Sequence, residues 1–474
     1  MQSNPFLRGF HPDPSWVRVD GWTYLTTSTF GWLPGLPLYR SRDHRHWEPL
    51  PPAIADTRHL DFSACACDDG LYAPGIRHDG DRFLLACTLV HRKTQRFQNF
   101  ICTSENPVRG WSPPVMLPED IGRIDPTPFV DDDQSLWLVL NDLPVPEISH
   151  GATRSIRLWQ LNPDNFEPID GPHTLWHGAM LAAATPEAPR IFKRNGWYWL
   201  LIAEGGTGTG HAVTMARSRA ITGPYENCPA NPLLTHRHLG PREPVRCVGH
   251  ADLLQMEDGS WRACCLAERQ VNGHCLTGRE SWSVPVDWRE GEWPVFAPGI
   301  GKLVPCDPSP APPSLDAAWI GLRQAPSERL SDVFFLTASP DATALVGRRI
   351  TAPEGSWRIQ LTPKDGVTSH GIALFATDSN WLKLERNGSK LTLHTATGVV
   401  HASCDVPPAA PLGFELTWHR NGGEAAFILE GTRTPLHAQV PLHDFAKPVF
   451  AGGVAALFAL GDTGGVHLHP CVSD

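Results

Sequence analysis

Apolar and polar residues follow a pattern that repeats five times along roughly the first 300 positions of the chain. Each repeat has a short polar turn followed directly by an apolar, aromatic-rich run. The turns are Asp20-Gly21, Asp79-Gly80, Asp133-Gln134, Asn195-Gly196 and Asp258-Gly259. The runs after them read WTYLTTST, DRFLLACT, SLWLVLND, WYWLLIAE and SWRACCLA. Asp-Gly or Asn-Gly between apolar runs indicates a β-hairpin, because type I′ turns need positive φ at both central residues.

The repeat length predicts the architecture. One hairpin cannot bury its own face, whereas stacked repeats share a core. A unit of about 60 residues holds about four strands and their loops, which is typical of one blade of a β-propeller. Five units therefore predict an all-β, five-bladed β-propeller whose first strands line a central channel.

The turns also single out residues with possible chemistry. Seven or eight residues before each turn stand Asp13, Tyr72, Asp125, Glu187 and His250. Equivalent positions in five blades converge at one mouth of the channel. A one-residue difference in spacing reverses a side chain unless a bulge or the turn absorbs it, and we attribute the difference to the turns.

The pattern changes after the fifth repeat. Residues 304–316 are rich in proline and read as an interdomain linker between a propeller domain at 1–303 and a second domain at 317–474. The second domain shows alternating strands with Asn-Gly and Gly-Gly turns, and no amphipathic segment of helical length interrupts them. This pattern predicts a β-sandwich.

Composition and charge narrow the classes of function. The net charge is −10 without a run of Lys or Arg, which argues against nucleic acid and anionic membranes as partners. The N-terminal residues form no apolar leader, and no segment is apolar enough for a membrane span. The twelve Cys show no CxxC pair, so we expect free thiols in a reducing cytoplasm. The sequence is compatible with a monomer and with a homo-oligomer.

Three carboxylates occupy equivalent repeat positions: Asp13 in HPDPS, Asp125 in RIDPTP and Glu187 in TPEAPR. Two carboxyl groups across a cleft are the minimum for glycoside hydrolysis, and a third raises the pKa of the acid by repulsion. Alone, Asp-Pro is a common turn element and Glu is most often a surface residue. Three acids at equivalent positions favour a catalytic site.

Five further residues are candidates for substrate binding. His250 is open to three interpretations: it orients a carboxylate or a water, helps to hold a central cation such as calcium, or is structural. Arg279 pairs with a carboxylate or a substrate hydroxyl, or lies on the surface. Phe30, Trp32 and Tyr72 form an aromatic wall for a sugar, or pack between blades.

These residues lie in stretches that resemble glycoside hydrolase family 43, in particular its two-domain β-xylosidase and α-L-arabinofuranosidase branch. The matching stretches include NPFLRGFHPDPS, GLYAPGIRHDG, RIDPTPFVDDD, GHADLL and GRESWSVPVDW, with LDAAWIGLR and GIALFATDSNWLKL in the second domain. The resemblance implies a five-bladed propeller, a concanavalin-like C-terminal sandwich and hydrolysis with inversion.

The resemblance also implies roles for individual residues. It places Asp13 as general base, Asp125 as the modulating and orienting carboxylate, and Glu187 as general acid. It places His250 below a channel calcium or water cluster and Arg279 beside the carboxylates and substrate. The chain has Ala188-Pro189-Arg190 where the family usually has Gly-Pro-His, and Tyr72 where it usually has Trp.

The resulting hypothesis is an inverting exo-glycosidase that releases pentose from short xylan-derived oligosaccharides, with β-xylosidase as the first choice. An α-L-arabinofuranosidase on the same machinery is the close alternative. A non-catalytic carbohydrate-binding propeller is the alternative of a different class.

Overall fold

The computed structural model describes residues 3–307, 313–331, 335–340, 344–408, 410–446 and 450–470. Of the predicted linker at 304–316, residues 308–312 lie outside the described residues. The described strands form seven sheets, of which five have four strands each.

The five four-stranded sheets follow one another along the chain, and each is built from antiparallel neighbours. Blade 1 comprises β1 Ser15–Val19, β2 Trp22–Thr26, β4 Leu38–Ser41 and β5 Glu48–Leu50. The short strand β3 Trp32–Leu33 lies between β2 and β4 in the chain and is not part of the blade. Blade 2 comprises β6 Gly70–His78, β7 Phe83–His91, β8 Arg96–Ser104 and β9 Val115–Met116. Blade 3 comprises β10 Thr127–Val130, β11 Leu136–Asp142, β12 Ser155–Leu161 and β13 Pro168–Trp176. Blade 4 comprises β14 Glu187–Arg194, β15 Trp197–Glu204, β16 Ala212–Ser218 and β17 Glu226–Asn227. Blade 5 comprises β18 Val245–Gln255, β19 Trp261–Arg269, β20 Arg279–Asp287 and β21 Val295–Phe296.

The first strands of the blades form a closed ring. Strand β1 contacts β6 and β18, β6 contacts β10, β10 contacts β14, and β14 contacts β18. The predicted five-bladed β-propeller is confirmed, with the first strand of each blade at the centre.

All five predicted turns join the first and second strands of their blades. Asp20-Gly21 and Asn195-Gly196 have positive φ at both residues, as a type I′ turn requires. The other three connections are longer, and the residue with positive φ there is Gly80, Gln134 or Gly259. Turn length therefore varies, which accounts for part of the uneven spacing seen in the sequence.

Irregular backbone in the central strands accounts for the rest of that spacing. The pairing register shifts between Tyr72 and Gly75, between Glu187 and Arg190, and between Gly249 and Asp252. One residue per blade at this level has a left-handed φ: Asp13, Ala73, Asp125, Ala188 and His250. Such bulges redirect side chains, and here they lie close to the start of β1, β6, β10 and β14 and within β18.

The ring is closed by the N-terminal segment and by one buried carboxylate. Leu7 bridges to Ser281 of β20, so the start of the chain pairs with blade 5. Asp252 of β18 accepts hydrogen bonds from Ser15 Oγ at 2.8 Å and from the Trp16 amide at 3.3 Å. The same carboxylate binds Arg77 of β6 at 3.0 and 3.1 Å. Asp252 thereby ties blades 1, 2 and 5 together.

The C-terminal part is a two-layer β-sandwich, as predicted. One sheet has eight strands in the order β3-β22-β25-β34-β27-β28-β29-β30, and the other has seven in the order β23-β24-β35-β26-β31-β32-β33. The bounds are β22 Ile320–Leu322, β23 Leu330–Ser331, β24 Phe335–Thr337, β25 Val346–Arg349, β26 Gly355–Pro363, β27 Ser369–Thr377, β28 Asn380–Asn387, β29 Lys390–Thr395, β30 Val400–Asp405, β31 Leu412–His419, β32 Gly422–Leu429, β33 Thr432–Val440, β34 Val454–Leu460 and β35 Gly465–Pro470. A 3₁₀ turn spans Pro326–Glu328, and a one-turn helix, α1, spans Leu442–Phe445.

The propeller and the sandwich are joined through a strand pairing and an apolar cluster. Strand β3 leaves blade 1 and pairs with β22 at the edge of the eight-stranded sheet. Around it, Phe10, Phe30 and Trp32 pack in one apolar cluster with Phe375 and Phe458 of the sandwich. The two parts are therefore joined by a continuous sheet edge and a common core.

No helix in the described part of the chain has the length and apolar character needed to cross a bilayer. The cysteines among the described residues are free, and most of them are buried.

Candidate functional site

A cavity of about 270 Å³ lies where the central strands begin. Its walls contain all but one of the side chains proposed from the sequence: Asp13, Asp125, Glu187, His250, Arg279, Phe30 and Tyr72. The exception is Trp32, which is 1% exposed and packs against Phe10 and Phe375 at ring distances of 6.3 and 5.8 Å. A larger cavity of about 620 Å³ lies elsewhere, between residues 57–63 and the sandwich, and these site residues do not line it.

Asp13 is a buried carboxylate surrounded by donors. Ser28 Oγ donates to Asp13 Oδ2 at 2.6 Å, and Arg279 donates to Oδ1 at 3.3 Å. His250 Nδ1 lies 3.3 Å from the same Oδ1. Burial raises the pKa of Asp13, but Arg279, His250 and Ser28 together outweigh it and lower the pKa below the ordinary value. Asp13 is therefore ionised at neutral pH.

The pKa values of Asp125 and Glu187, in contrast, are raised. Burial, followed by the charge of Asp13, raises the pKa of Asp125 to about 7, although the Ala188 amide donates to its Oδ2 at 2.8 Å. Burial, then the charges of Asp125 and Asp13, raises the pKa of Glu187 well above its ordinary value. Carboxylates that share one site cannot all ionise at neutral pH, so the site separates an ionised carboxylate from a protonated carboxyl group.

Local backbone geometry sets these positions. Asp125 adopts a left-handed φ just before β10, and Ala188 does so at the bulge that follows Glu187. The hydrogen bond from Ala188 to Asp125 fixes the bulge against the neighbouring blade. Asp125 thereby holds in place the backbone that carries Glu187.

One wall of the cavity is aromatic, and part of it comes from the sandwich. The Phe30 ring lies 5.2 Å from Tyr72 and 6.0 Å from Phe450. The Phe450 carbonyl accepts from Arg279 at 3.1 and 3.2 Å. Asp68 Oδ1 accepts from the Phe450 amide at 3.1 Å and thus fixes this segment to the propeller. The sandwich therefore completes the cavity.

The residues around His250 do not fit the channel calcium that the resemblance implies. Arg190 lies beside His250 Nε2, and Arg279 lies beside Asp13. The nearby carboxylate of Asp252 already binds Arg77 and lies 3.6 Å from Arg190. Two guanidinium groups repel a divalent cation, and calcium prefers a set of oxygen ligands. Within the described ranges, no group of three or more His, Cys, Asp or Glu side chains is arranged to hold a metal ion.

Sequence reasoning missed several residues that shape the site. Phe450 and Asp68 meet through the packing of two parts of the chain, for which no local pattern exists. Ser28 lies within the run WTYLTTST, in which nothing marks it as a partner of Asp13. The signal in the sequence for the position of Arg190 in the channel is its departure from the usual Gly-Pro-His.

The raised pKa of Asp125 predicts a pH-dependent cost to stability. A carboxyl whose folded pKa exceeds its unfolded value of 3.8 stabilises the fold below that value, and this contribution is lost as the pH rises through about 7. Relative to the parent, Asp125→Asn should therefore be more stable at pH 8 than at pH 5, by about 1–3 kcal/mol, because the parent loses stability progressively up to about pH 7. Thermal unfolding at both pH values measures this.

The control for that measurement is Asp164→Asn, at an exposed carboxylate outside the cavity. It should match the parent at both pH values. An Asp125→Asn variant that is less stable at pH 8 than at pH 5, relative to the parent, contradicts the prediction.

Comparison with known proteins agrees with this geometry. The family model for glycosyl hydrolases family 43 matches residues 2–294. A xylosidase/arabinosidase of Butyrivibrio fibrisolvens is 37% identical over 305 residues, covering 64% of this chain and 58% of that protein. A non-reducing end alpha-L-arabinofuranosidase of Bacteroides ovatus is 31% identical over 443 residues, covering 86% of this chain and 80% of that protein. The chain thus spans less than two thirds of the first relative.

A solved structure extends the likeness to the second part of the chain. The crystal structure of a xylan beta-1,4-xylosidase from Bacillus halodurans C-125 superimposes with a TM-score of 0.86 at 26% identity, covering 99% of both chains. The family resemblance inferred from the sequence is confirmed. Since the family match covers more than half of the chain, this protein belongs to the glycosyl hydrolases of family 43.

Proposed function

We propose that the protein is an inverting exo-acting glycosidase that releases pentose from the ends of short xylan-derived oligosaccharides, as a β-xylosidase. The observation that carries this proposal is the division of the carboxyl groups in one cavity. Asp13 is held ionised, while Glu187 is held protonated by burial and by the charges of Asp125 and Asp13. An ionised base and a protonated acid are the two groups that glycoside hydrolysis with inversion needs.

The roles follow from these protonation states. Asp13 accepts a proton from a water that attacks the anomeric carbon, and Glu187 donates its proton to the departing oxygen. Asp125 raises the pKa of Glu187 and accepts the Ala188 amide, so it keeps the acid protonated and in position. Arg279 keeps Asp13 ionised and, from the cavity wall, lies within reach of a substrate hydroxyl.

The shape of the cavity supports attack at a chain end. Its volume of about 270 Å³ lies below the range of about 300–1,000 Å³ typical of drug-sized ligands. Phe450 from the sandwich lies against Phe30 and Tyr72 on one side of the cavity. A terminal sugar fits such a pocket, whereas a long chain running through it meets this wall.

The names of relatives support a pentose as the released sugar and leave two candidate activities. The Butyrivibrio protein is called a xylosidase/arabinosidase, and the Bacillus structure is a xylan beta-1,4-xylosidase. The Bacteroides protein, which matches more of this chain, is called a non-reducing end alpha-L-arabinofuranosidase. That match is the observation that keeps α-L-arabinofuranosidase as the second candidate.

Variants of the two carboxyl groups test their roles separately. Asp13→Asn should lower kcat on xylobiose and on an aryl xyloside alike, by about 10²–10⁴-fold, because both reactions need the activated water. Glu187→Gln should lower kcat strongly on xylobiose and far less on a nitrophenyl xyloside, whose leaving group departs without a proton. Steady-state kinetics on both substrates measures the difference.

The control is Glu257→Gln, at a carboxylate that is 85% exposed and outside the cavity. It should retain parental rates. Near-normal turnover of xylobiose by Asp13→Asn or Glu187→Gln overturns the assignment. Binding of xylobiose by the unaltered protein without release of xylose supports the non-catalytic alternative.

Product analysis separates the two substrates and tests the stereochemistry. Proton NMR of the reaction on xylobiose and on an arabinosyl-xylooligosaccharide should show release of xylose, with the α-anomer appearing first because inversion changes the β-linkage. Release of arabinose alone favours the α-L-arabinofuranosidase. Initial formation of β-xylose contradicts inversion.

The position of Arg190 predicts independence from calcium. A guanidinium beside His250 and a second beside Asp13 exclude a divalent cation from this part of the channel. Activity on xylobiose should therefore stay the same after dialysis against EDTA and after addition of calcium. Loss of activity in EDTA that calcium restores contradicts the prediction.

A further inference from the structure

We propose that Arg190 is a positioning residue that holds His250 as the neutral tautomer with its proton on Nδ1, facing Asp13. This inference rests on the proposed function, since it assigns a purpose to the neighbours of the proposed base. It concerns the Arg that stands where the family usually has His.

Arg190 is fixed at the axis by groups from several blades. Its side chain is 0% exposed. One end of the guanidinium donates to Thr127 Oγ1 and to the Pro189 carbonyl, and the other donates to the Pro74 carbonyl at 3.2 Å. That second end, Nη2, lies 3.4 Å from His250 Nε2. The guanidinium thus has one orientation, set by β6, β10 and β18.

The chemistry of the two groups selects one tautomer. A guanidinium has only donors, so His250 Nε2 must accept from Arg190 and carries no proton. The proton of the neutral ring is then on Nδ1, which lies 3.3 Å from Asp13 Oδ1. Arg190 and Asp13 therefore act on opposite nitrogens of one ring, and both favour the same tautomer.

Burial, aided by nearby positive charge, lowers the pKa of His250 and keeps the ring neutral. Burial, followed by the positive charge of Arg190 and by His211 and Arg279, lowers the pKa of His250 to about 3 against the opposing charge of Asp13. The neighbouring His211 has its own pKa lowered to about 4, first by burial, and its Nδ1 faces the Cys247 carbonyl at 3.1 Å. The other ionisable side chains that line the cavity are Asp125, Glu187 and Tyr72.

A neutral ring serves a general base better than an imidazolium does. A full positive charge at His250 stabilises ionised Asp13 further and makes it a weaker base. A neutral Nδ1–H orients the Asp13 oxygen without that loss of basicity. The position of the proton on His250 therefore affects the rate of catalysis more than the binding of substrate.

A purely structural role for Arg190 is the alternative, because Arg190 also lies 3.6 Å from buried Asp252. Asp252, however, already has two contacts with Arg77, at 3.0 and 3.1 Å. This arrangement supplies a matched control, since Arg77→Met removes a partner of Asp252 without touching His250. It also leaves Asp252 paired when Arg190 is replaced.

The experiment compares Arg190→Met, Arg190→Lys and Arg77→Met by nitrogen-15 NMR of histidine-labelled protein, with His250 assigned from its loss in His250→Gln. The unaltered protein should show His250 as the neutral Nδ1–H tautomer. Arg190→Met should shift this signature towards a mixture of tautomers, because only Asp13 then acts on the ring, and Arg190→Lys, whose single ammonium replaces the two ends of the guanidinium, should shift it less. Both variants should lower kcat by about 10–100-fold, as removal of a residue that orients a functional histidine does elsewhere, with KM nearly unchanged. Arg77→Met should lower the melting temperature while it keeps the signature and kcat.

Three results overturn the proposal: an Nε2–H tautomer or a charged ring in the unaltered protein, an unchanged signature in an Arg190 variant, or an unchanged kcat in it. Arg190→Lys retains a positive charge for Asp252, so it tests the proposal if Arg190→Met does not fold. The tautomer is measured without substrate. Failure of the proposed function, seen as absent turnover by the unaltered protein, is therefore distinguished from failure of this inference.

Discussion

Charge buried at the axis of the propeller must be paired, and the arrangement of those pairs organises the molecule. An unpaired ion in this environment costs several kcal/mol, whereas a paired and hydrogen-bonded one is tolerated. Asp252 meets the requirement through Arg77, Ser15 and the Trp16 amide. Because Asp252 and these partners together belong to three blades, the pairing of a single carboxylate also closes the ring.

The carboxyl groups of the cavity differ in pKa because they have different charged and hydrogen-bonding neighbours. Asp13 has Arg279, Ser28 and His250 around it, and its pKa falls. Glu187 has the charges of two neighbouring carboxylates added to its burial, and its pKa rises. Three carboxyl groups that are chemically similar thus differ in pKa, as the roles proposed for them require. The difference comes from their neighbours and from the strands that bring those neighbours close.

The sandwich contributes residues to the cavity as well as to the core. Its segment at Phe450 supplies a ring to the aromatic wall and a carbonyl to Arg279, the same Arg that lowers the pKa of Asp13. Asp68 of the propeller anchors this segment through the Phe450 amide. The shape of the pocket and the ionisation of the proposed base are therefore both linked to the attachment of the second part of the chain.

The blades, the order of the acids along the chain and the sandwich could be predicted from the sequence, because turns such as Asp20-Gly21 and alternating strands are local signals with local causes. Asp13, Asp125 and Glu187 were found because a repeat places equivalent residues at one level of the ring. The packing of Trp32 in the core, the position of Phe450 at the cavity and the contact of Arg190 with His250 could not be predicted in this way and depend on the folded arrangement. Those contacts join residues far apart in the chain, and burial and pairing select them only when the blades close around the axis and the sandwich docks.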